Sequence, residues 1–476
     1  MPSSVALVLG CAFILLMLKA NKKQTAGVSL ALWIPTLWML YCGSRPLACW
    51  KSNDLLLSAS SSGVSEGSAI DRNFLLGLIL LGVTTVVRRR FNWKAALNNN
   101  YWLTALFVFV LVSAVWSDAP FVSIKRVIKL VGSVIMGLVI LSEASPGQAL
   151  EVVLRRVAYM LIPMSYLLIK YVSNLGVFYL PHSGNRWWIG VTTTKNNLGV
   201  LCTVTAVFLF WSMLMNWKQR KAPEIKWRFY FDLLVFITSL YILKGEVAYS
   251  ATSLACLAVG VMTIFGLRWI QTHQKTLNVS MLMTPVMLIV FFGASVPFLG
   301  TAAFSGLTSL LGRDVTFTGR TTIWAQLAPM ALQNPFLGHG YGGFWLGTSY
   351  AEVNEAHNGY LEIVLGLGFA GLLLVMGFLV SCCREAYVGI SRNVELAFLG
   401  FALVIMLALH NVTEASLLVE TDLMWTTLIF VKMVNRAEMS VMAEAMAGQR
   451  AQPAEPGPEE DKAPTAAQSK FAMGRA

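Results

Sequence analysis

Apolar runs long enough to cross a bilayer, broken by short polar stretches, recur along almost the whole chain. About 20 apolar residues span the hydrocarbon core as a helix, which satisfies its own backbone polar groups. The pattern predicts spans near 3–18, 26–42, 73–87, 101–116, 122–141, 152–170, 196–216, 229–244, 250–267, 279–298, 358–381, 395–410 and 417–433. Allowing one or two miscounts, the expected fold is an all-α polytopic integral membrane protein with about 12–13 transmembrane helices. Segment 3–18 has the length of a signal peptide. No basic residue precedes it, and Lys19, Lys22 and Lys23 follow, so it reads as a retained span.

Between the spans, residues 52–68 read as a flexible outer loop, and 299–357 as a long outer loop containing short amphipathic helices. The end, with its run "AQPAEPGPEEDKAPTAAQSK", has the Pro, Ala and Glu content of a disordered tail. The expected divisions are 1–72 (first spans and outer loop), 73–298 (transmembrane bundle), 299–357 (catalytic loop), 358–435 (last spans) and 436–476 (cytoplasmic tail). No internal repeat is visible.

Composition agrees with a membrane protein: 56% of residues are hydrophobic and 13% charged, against about 25% charged in soluble domains. The net charge of +12 does not point to nucleic acid, because the basic clusters fall in alternate loops. These are "KANKKQ", "RRRFNWK", "KQRKAPEIKWR", "RWIQTHQK" and "REAYVGISR". The positive-inside rule makes them cytoplasmic and places 43–72, 117–121, 171–195, 245–249, 299–357 and 411–416 outside, with the amino terminus. The seven cysteines form no disulfide framework, and no Cys/His spacing suits structural zinc.

Chemistry is expected where charge and glycine interrupt this pattern without serving topology. In "SGNRWWIGVTTTKNNLG", Trp187 and Trp188 fit an interfacial belt. Arg186 and Lys195 are outer-side cations that run against the positive-inside bias, so Arg186 suits an anionic headgroup or a substrate phosphate. In "FTGRTTIWAQLAPMALQNPFLGHGYGGFW", Ile323, Trp324, Leu327, Met330 and Ala331 recur at helical spacing. They predict an amphipathic helix in the outer interface, with Thr318 as cap and Arg320 in its first turn. The following "GHGYGG" allows tight turns and close approach of a ligand, but no strand precedes it as a nucleotide fingerprint requires.

His357, just ahead of Asn358 and the next span, is either a helix-start histidine satisfied by backbone or a base that takes a hydroxyl proton near neutral pH. His339 reads as incidental, and His410 with Glu414 as a weaker candidate. On the span at 122–141, Lys125, Arg126 and Lys129 occupy adjoining faces of the outer end; Lys125 can snorkel, while Arg126 is expected to point inward. Outer cations, one placed histidine and no Asp-x-Asp pair suit a pyrophosphate leaving group stabilised without metal.

Taken in order, "SAVWSDAPFVSIKR", "WIGVTTTKNNLG", "FTGRTTIWAQLAPMALQNPFLGHGYGGFW", "AHNGYLEIVLGLGFAGL" and, more faintly, "HNVTEASLL" resemble the O-antigen ligase superfamily, including succinoglycan-type exopolysaccharide polymerases. The resemblance covers roughly 70–435. It implies a GT-C-like, metal-independent, inverting glycosyltransferase without cofactor. Such an enzyme takes glycan from an undecaprenyl-diphosphate-linked donor to an acceptor glycan or lipid A-core at the periplasmic face of a bacterial inner membrane. Other polysaccharide export components are possible partners. The implied roles are acceptor activation by His357 and diphosphate binding by Arg186 and Arg320, assisted by Lys195 and Arg126. Asn196, Asn358, Glu362 and Glu414 are the supporting set. The chain departs from relatives at Thr194, where a histidine often precedes the lysine, and in "GHG" for Gly-Tyr-Gly.

Two other classes fit a polytopic chain. A lipid-linked oligosaccharide flippase is expected to show repeats, broken helices and midplane charge, whereas the unusual charges here gather at outer ends. A non-catalytic scaffold has no need of a histidine among outward arginines. Ligase and polymerase are not separated by physics, and only the resemblance tips towards polymerase.

Overall fold

The computed structural model describes residues 2–24, 27–52, 68–92, 100–179, 185–246, 250–273, 276–299, 319–347 and 355–451. The expected loop at 52–68 and most of 299–318 therefore lie outside the described residues. Every predicted span overlaps a helix, although 26–42 becomes helical only from Leu30 and 417–433 only from Leu423. In chain order the helices are α1 (Ser3–Gln24), α2 (Trp33–Cys42), α3 (Leu47–Ser52), α4 (Ala69–Arg88), α5 (Tyr101–Val112), α6 (Pro120–Leu141) and α7 (Pro146–Tyr171). After a turn, α8 (Ser173–Gly176), come a two-stranded antiparallel hairpin of β1 (Val177–Tyr179) and β2 (Arg186–Trp188), then α9 (Lys195–Met215), α10 (Pro223–Lys244), α11 (Ala251–Thr272) and α12 (Val279–Leu299). The remainder are α13 (Arg320–Ala331), α14 (Phe344–Gly347), α15 (Gly359–Ser391), α16 (Leu396–His410) and α17 (Leu423–Ala451).

The starts of these helices follow from local chemistry. Ser68, Thr194, Ser250 and Asn358 cap α4, α9, α11 and α15 by accepting first-turn backbone N–H groups. Proline opens α6, α7 and α10, where its missing N–H costs nothing. Seven of the described helices are long and apolar enough to cross a membrane, and three shorter apolar helices accompany them. The chain is an all-α polytopic membrane protein. Helices α7, α9, α15 and α16 bury most of their surface, whereas α1, α4, α11 and α12 turn leucines, valines and phenylalanines outward, the face that lipid solvates.

Two buried ion pairs tie spans together. Arg155 of α7 meets Asp232 of α10 at 3.1 Å, and Tyr159 donates to the same carboxylate at 2.6 Å. Lys432 of α17 meets Glu385 of α15 at 2.6 Å. Each pair joins helices that lipid alone would not hold together.

Three expectations change. Helix α13 forms as predicted, but Trp324, Leu327 and Ala331 are buried against α12 and α15 rather than lying in the interface. Its cap position is Gly319, at φ +88°, and Thr318 lies outside the described residues. The segment after 436 continues as helix to Ala451 instead of ending at 435.

The third change concerns "GHGYGG". Helix α15 breaks at Gly368, φ +65°, and the chain before the glycine loop fills the break, with Phe369 N–H donating to Pro335 O at 2.7 Å. A Cβ at Gly368 would meet the Phe336 carbonyl carbon at 2.3 Å. The close approach these glycines permit is thus largely between two stretches of this chain.

Candidate functional site

The loop after α16 carries the centre of the site. Asn411 Oδ1 accepts from the N–H groups of Ser416 and Leu417, each at 3.0 Å, which curls the loop and presents Glu414. The Glu414 carboxylate gathers three side chains from separate elements. Asn196, in the first turn of α9, donates Nδ2 to Oε1 at 2.8 Å. Arg320, the first residue of α13, pairs with the same oxygen. His357 places Nδ1 3.6 Å from Oε2, an ion-pair separation rather than a short hydrogen bond.

His357 is held from both chain directions. Trp324 Nε1 donates to Ala356 O at 2.8 Å, and Ala356 N–H donates to Glu362 Oε1 at 2.6 Å. Glu362 also accepts from Trp345 Nε1 at 2.9 Å. On the other side, Asn358 caps α15 and donates Nδ2 to Gly293 O and Val412 O at 2.9 and 3.0 Å. Between these anchors His357 takes φ +49°, a left-handed conformation that histidine tolerates better than most residues. Asn358 is fully buried and spends its amide on the protein. Asn358 and Glu362 thus anchor the backbone on either side of His357.

The charges modify one another. The Glu414 contact raises the His357 pKa above its ordinary value against the opposing effect of burial, and Glu355, 4.0 Å away, adds to the rise. Burial alone would raise Glu414, but His357 and Arg320 outweigh it and hold the carboxyl low. Glu355 is raised, first by burial and then by the neighbouring carboxylates Glu414 and Glu362. Asp422, at the end of the same loop, is pushed up to about 6 by burial.

These groups border one cavity of about 1170 Å³, somewhat larger than the roughly 300–1,000 Å³ of small-molecule pockets. His357, Glu355 and Glu414 line it together with Lys195, Asn196, Arg126 and Lys129. Lys195 Nζ rests 4.3 Å from the Trp187 ring centre. Arg126 lies 3.8 Å from Glu420 and against Gly342, where a Cβ would meet its Cδ at 2.5 Å. Further lining comes from α2, α3 and α4, from the hairpin and the segment leading into α9, from residues 341–345, from α15 and from the loop after α16.

Two expected diphosphate ligands are not on that surface. Arg186 is half exposed and pairs with Glu246 at 3.7 Å, outside the cavity lining. Arg320 is committed to Glu414, with 15% of its side chain exposed. His339, read as incidental, bonds Asp118 at 3.0 Å away from the lining. Thr194, the departure from relatives, caps α9 by accepting from Asn197 N–H at 3.1 Å. Trp188, expected in an interfacial belt, is buried instead. Sequence reading missed Glu355 and Asp422, which stand alone in loops without a motif. It noted Lys129 only as a neighbour of Arg126.

Ligand atoms of Glu355, His357 and Glu414 also lie within 4.8 Å of one another, a grouping able to hold a divalent cation. Arg320 already supplies a positive charge to one of the three.

Residues 246–376 match the family described as O-Antigen ligase. That stretch holds α11 and α12, the long loop, His357 and the first half of α15. The resemblance to the O-antigen ligase superfamily is borne out. The exopolysaccharide production protein ExoQ of Rhizobium meliloti (strain 1021) is 25% identical over 302 residues, 59% of this chain. The alignment spans 63% of that protein's length, less than two thirds.

Proposed function

We propose that this protein is a glycosyltransferase of the bacterial inner membrane. It moves glycan from an undecaprenyl-diphosphate-linked donor to an acceptor hydroxyl at the periplasmic face. Exopolysaccharide polymerisation is favoured over ligation to lipid A-core, because the relative ExoQ is an exopolysaccharide production protein. The observation that carries the reading is His357, oriented by Glu414 on the wall of a cavity that also exposes Lys195, Arg126 and Lys129.

In the proposed reaction, neutral His357 takes the proton of the acceptor hydroxyl. The oxygen attacks the anomeric carbon from the face opposite the diphosphate, whose C–O bond breaks and whose oxygen keeps the electron pair. One displacement inverts the anomeric centre. General-base assistance typically contributes about 10²–10⁴-fold, and alignment and charge stabilisation supply the rest. Lys195, Arg126 and Lys129 take the diphosphate-binding role, with no metal. Arg320 and Asn196 fix Glu414, and through it His357. Arg186, outside the cavity, receives no role here. A flippase would place its working charges near mid-membrane, whereas these converge where α9 and α15 begin and α16 ends.

The test is transfer by purified protein in nanodiscs, using lipid-linked glycan extracted from cells lacking the protein, with EDTA, and with and without lipid A-core. Longer lipid-linked glycan without core establishes polymerisation; glycan joined to core establishes ligation. Binding of the donor without transfer under either condition overturns the reading.

A further inference from the structure

His410 closes α16 and also lines the cavity, yet the mechanism above leaves it unused. Its Nδ1 lies 3.1 Å from Ser416 Oγ, and Ser416 donates its hydroxyl proton to Asp422 Oδ2 at 2.9 Å. Asp422 is fixed in turn by Trp425 N–H, which donates to Oδ1 at 2.7 Å. A serine hydroxyl has one proton. With that proton on Asp422, Ser416 Oγ accepts from His410, so Nδ1 carries the hydrogen and Nε2 of the neutral ring carries a bare lone pair.

His410 is 3% exposed, and Nε2 has no hydrogen-bond partner among the described residues. A buried polar atom left unmatched is uncommon and unfavourable. Here it belongs to a ring on a cavity wall, with its other nitrogen locked by a two-step relay. A bare lone pair accepts hydrogen bonds and cannot donate them. An ionised diphosphate also only accepts, so it cannot satisfy this atom. A sugar hydroxyl can, and the cavity volume leaves space for sugar beyond a diphosphate. We propose that His410 Nε2 accepts a hydrogen bond from a hydroxyl of the bound glycan, with Ser416 and Asp422 fixing the ring that offers it. This inference rests on the transferase reading above.

Asparagine places its amide near the Nδ1 position of histidine, and glutamine near Nε2. His410→Asn therefore keeps the Ser416 contact and deletes the proposed ligand contact, while His410→Gln does the reverse. With extracted lipid-linked glycan as substrate, His410→Asn should lose about tenfold in kcat/KM, the effect of one hydrogen bond. The loss should fall mainly in KM, with binding of undecaprenyl diphosphate alone unchanged. His410→Gln should recover to within about threefold of the native protein, on the same scale. Loss in the glutamine variant alone, equal losses in both, or native activity in both would overturn the proposal. Absence of transfer by the native protein would instead overturn the transferase reading, and this inference with it.

Discussion

His357 and Glu414 come from different loops, yet Nδ1 of the one lies 3.6 Å from Oε2 of the other. The pairing leaves the far nitrogen of the imidazole for the proposed acceptor hydroxyl, while Arg320 and Asn196 hold the other carboxylate oxygen. A base oriented by a carboxylate, itself fixed by two further groups, is the arrangement expected of a side chain that must accept a proton in one geometry.

Replacing His357 by alanine removes the proposed base while leaving the cations in place. Turnover should fall by about 10²–10⁴-fold, with binding of the diphosphate carrier nearly native. Single-turnover transfer and carrier binding, measured on the same preparation, separate the two. Native turnover in this variant would remove His357 from the mechanism.

The pH dependence has a definite sign. Histidine acts as a base only when neutral, and Glu414 raises the His357 pKa. The rate should therefore rise with pH through a value above the ordinary histidine pKa of about 6.5. Glu414→Gln removes the raising charge, so the acid limb of the pH–rate profile should move to lower pH while the plateau falls through lost orientation. A profile that keeps its position would mean His357 is not the titrating group.

Glu414 has a stability consequence as well. Its folded pKa is depressed, so its contribution is present above the ordinary carboxylate range and is lost as pH falls through the depressed value. Glu414→Gln should flatten the acid side of the thermal-stability profile. An unchanged acid limb would show that its ion pairs contribute little to folding.

Metal independence is tested directly. Transfer should survive EDTA and gain nothing from added Mg²⁺ or Mn²⁺. If chelation abolishes activity and Glu355→Gln weakens metal binding, the Glu355, His357 and Glu414 group is a cation site instead.

At Gly368 the prediction concerns the scaffold. Alanine there must adopt φ +65° and press on the Phe336 backbone. The cost should exceed about 1 kcal/mol, seen as a lower melting temperature of purified protein. A native melting temperature would show that the break in α15 relaxes freely.

Much of the site was legible from local signals. The span pattern located the helices because hydrocarbon demands long apolar runs whatever their neighbours do. His357 was recognisable as a polar residue at the mouth of a span, and "HNVTEASLL" held Glu414 and His410. Arg186 misled, because a cation at an outer position looks the same whether it faces a substrate or a surface carboxylate such as Glu246. Arg320 gave no sign that Glu414 would occupy its guanidinium. The glycine loop suggested a ligand, but glycine records only that something comes close, and here that is α15 backbone at Gly338, Ser117 at Gly340 and Gly343, and the Arg126 side chain at Gly342.

The amino-acid sequence by itself determined the membrane architecture, the caps that start the helices and the presence of a histidine with cations near span ends. Each depends on residues within one or two turns of one another. Only the tertiary structure decided which charges meet: Arg320 and Asn196 on Glu414, Glu414 on His357, and the Asp422–Ser416–His410 relay facing the same cavity. Apart from that relay, these contacts join residues far apart in the chain. They are set by how helices pack, which hydrophobic periodicity does not encode.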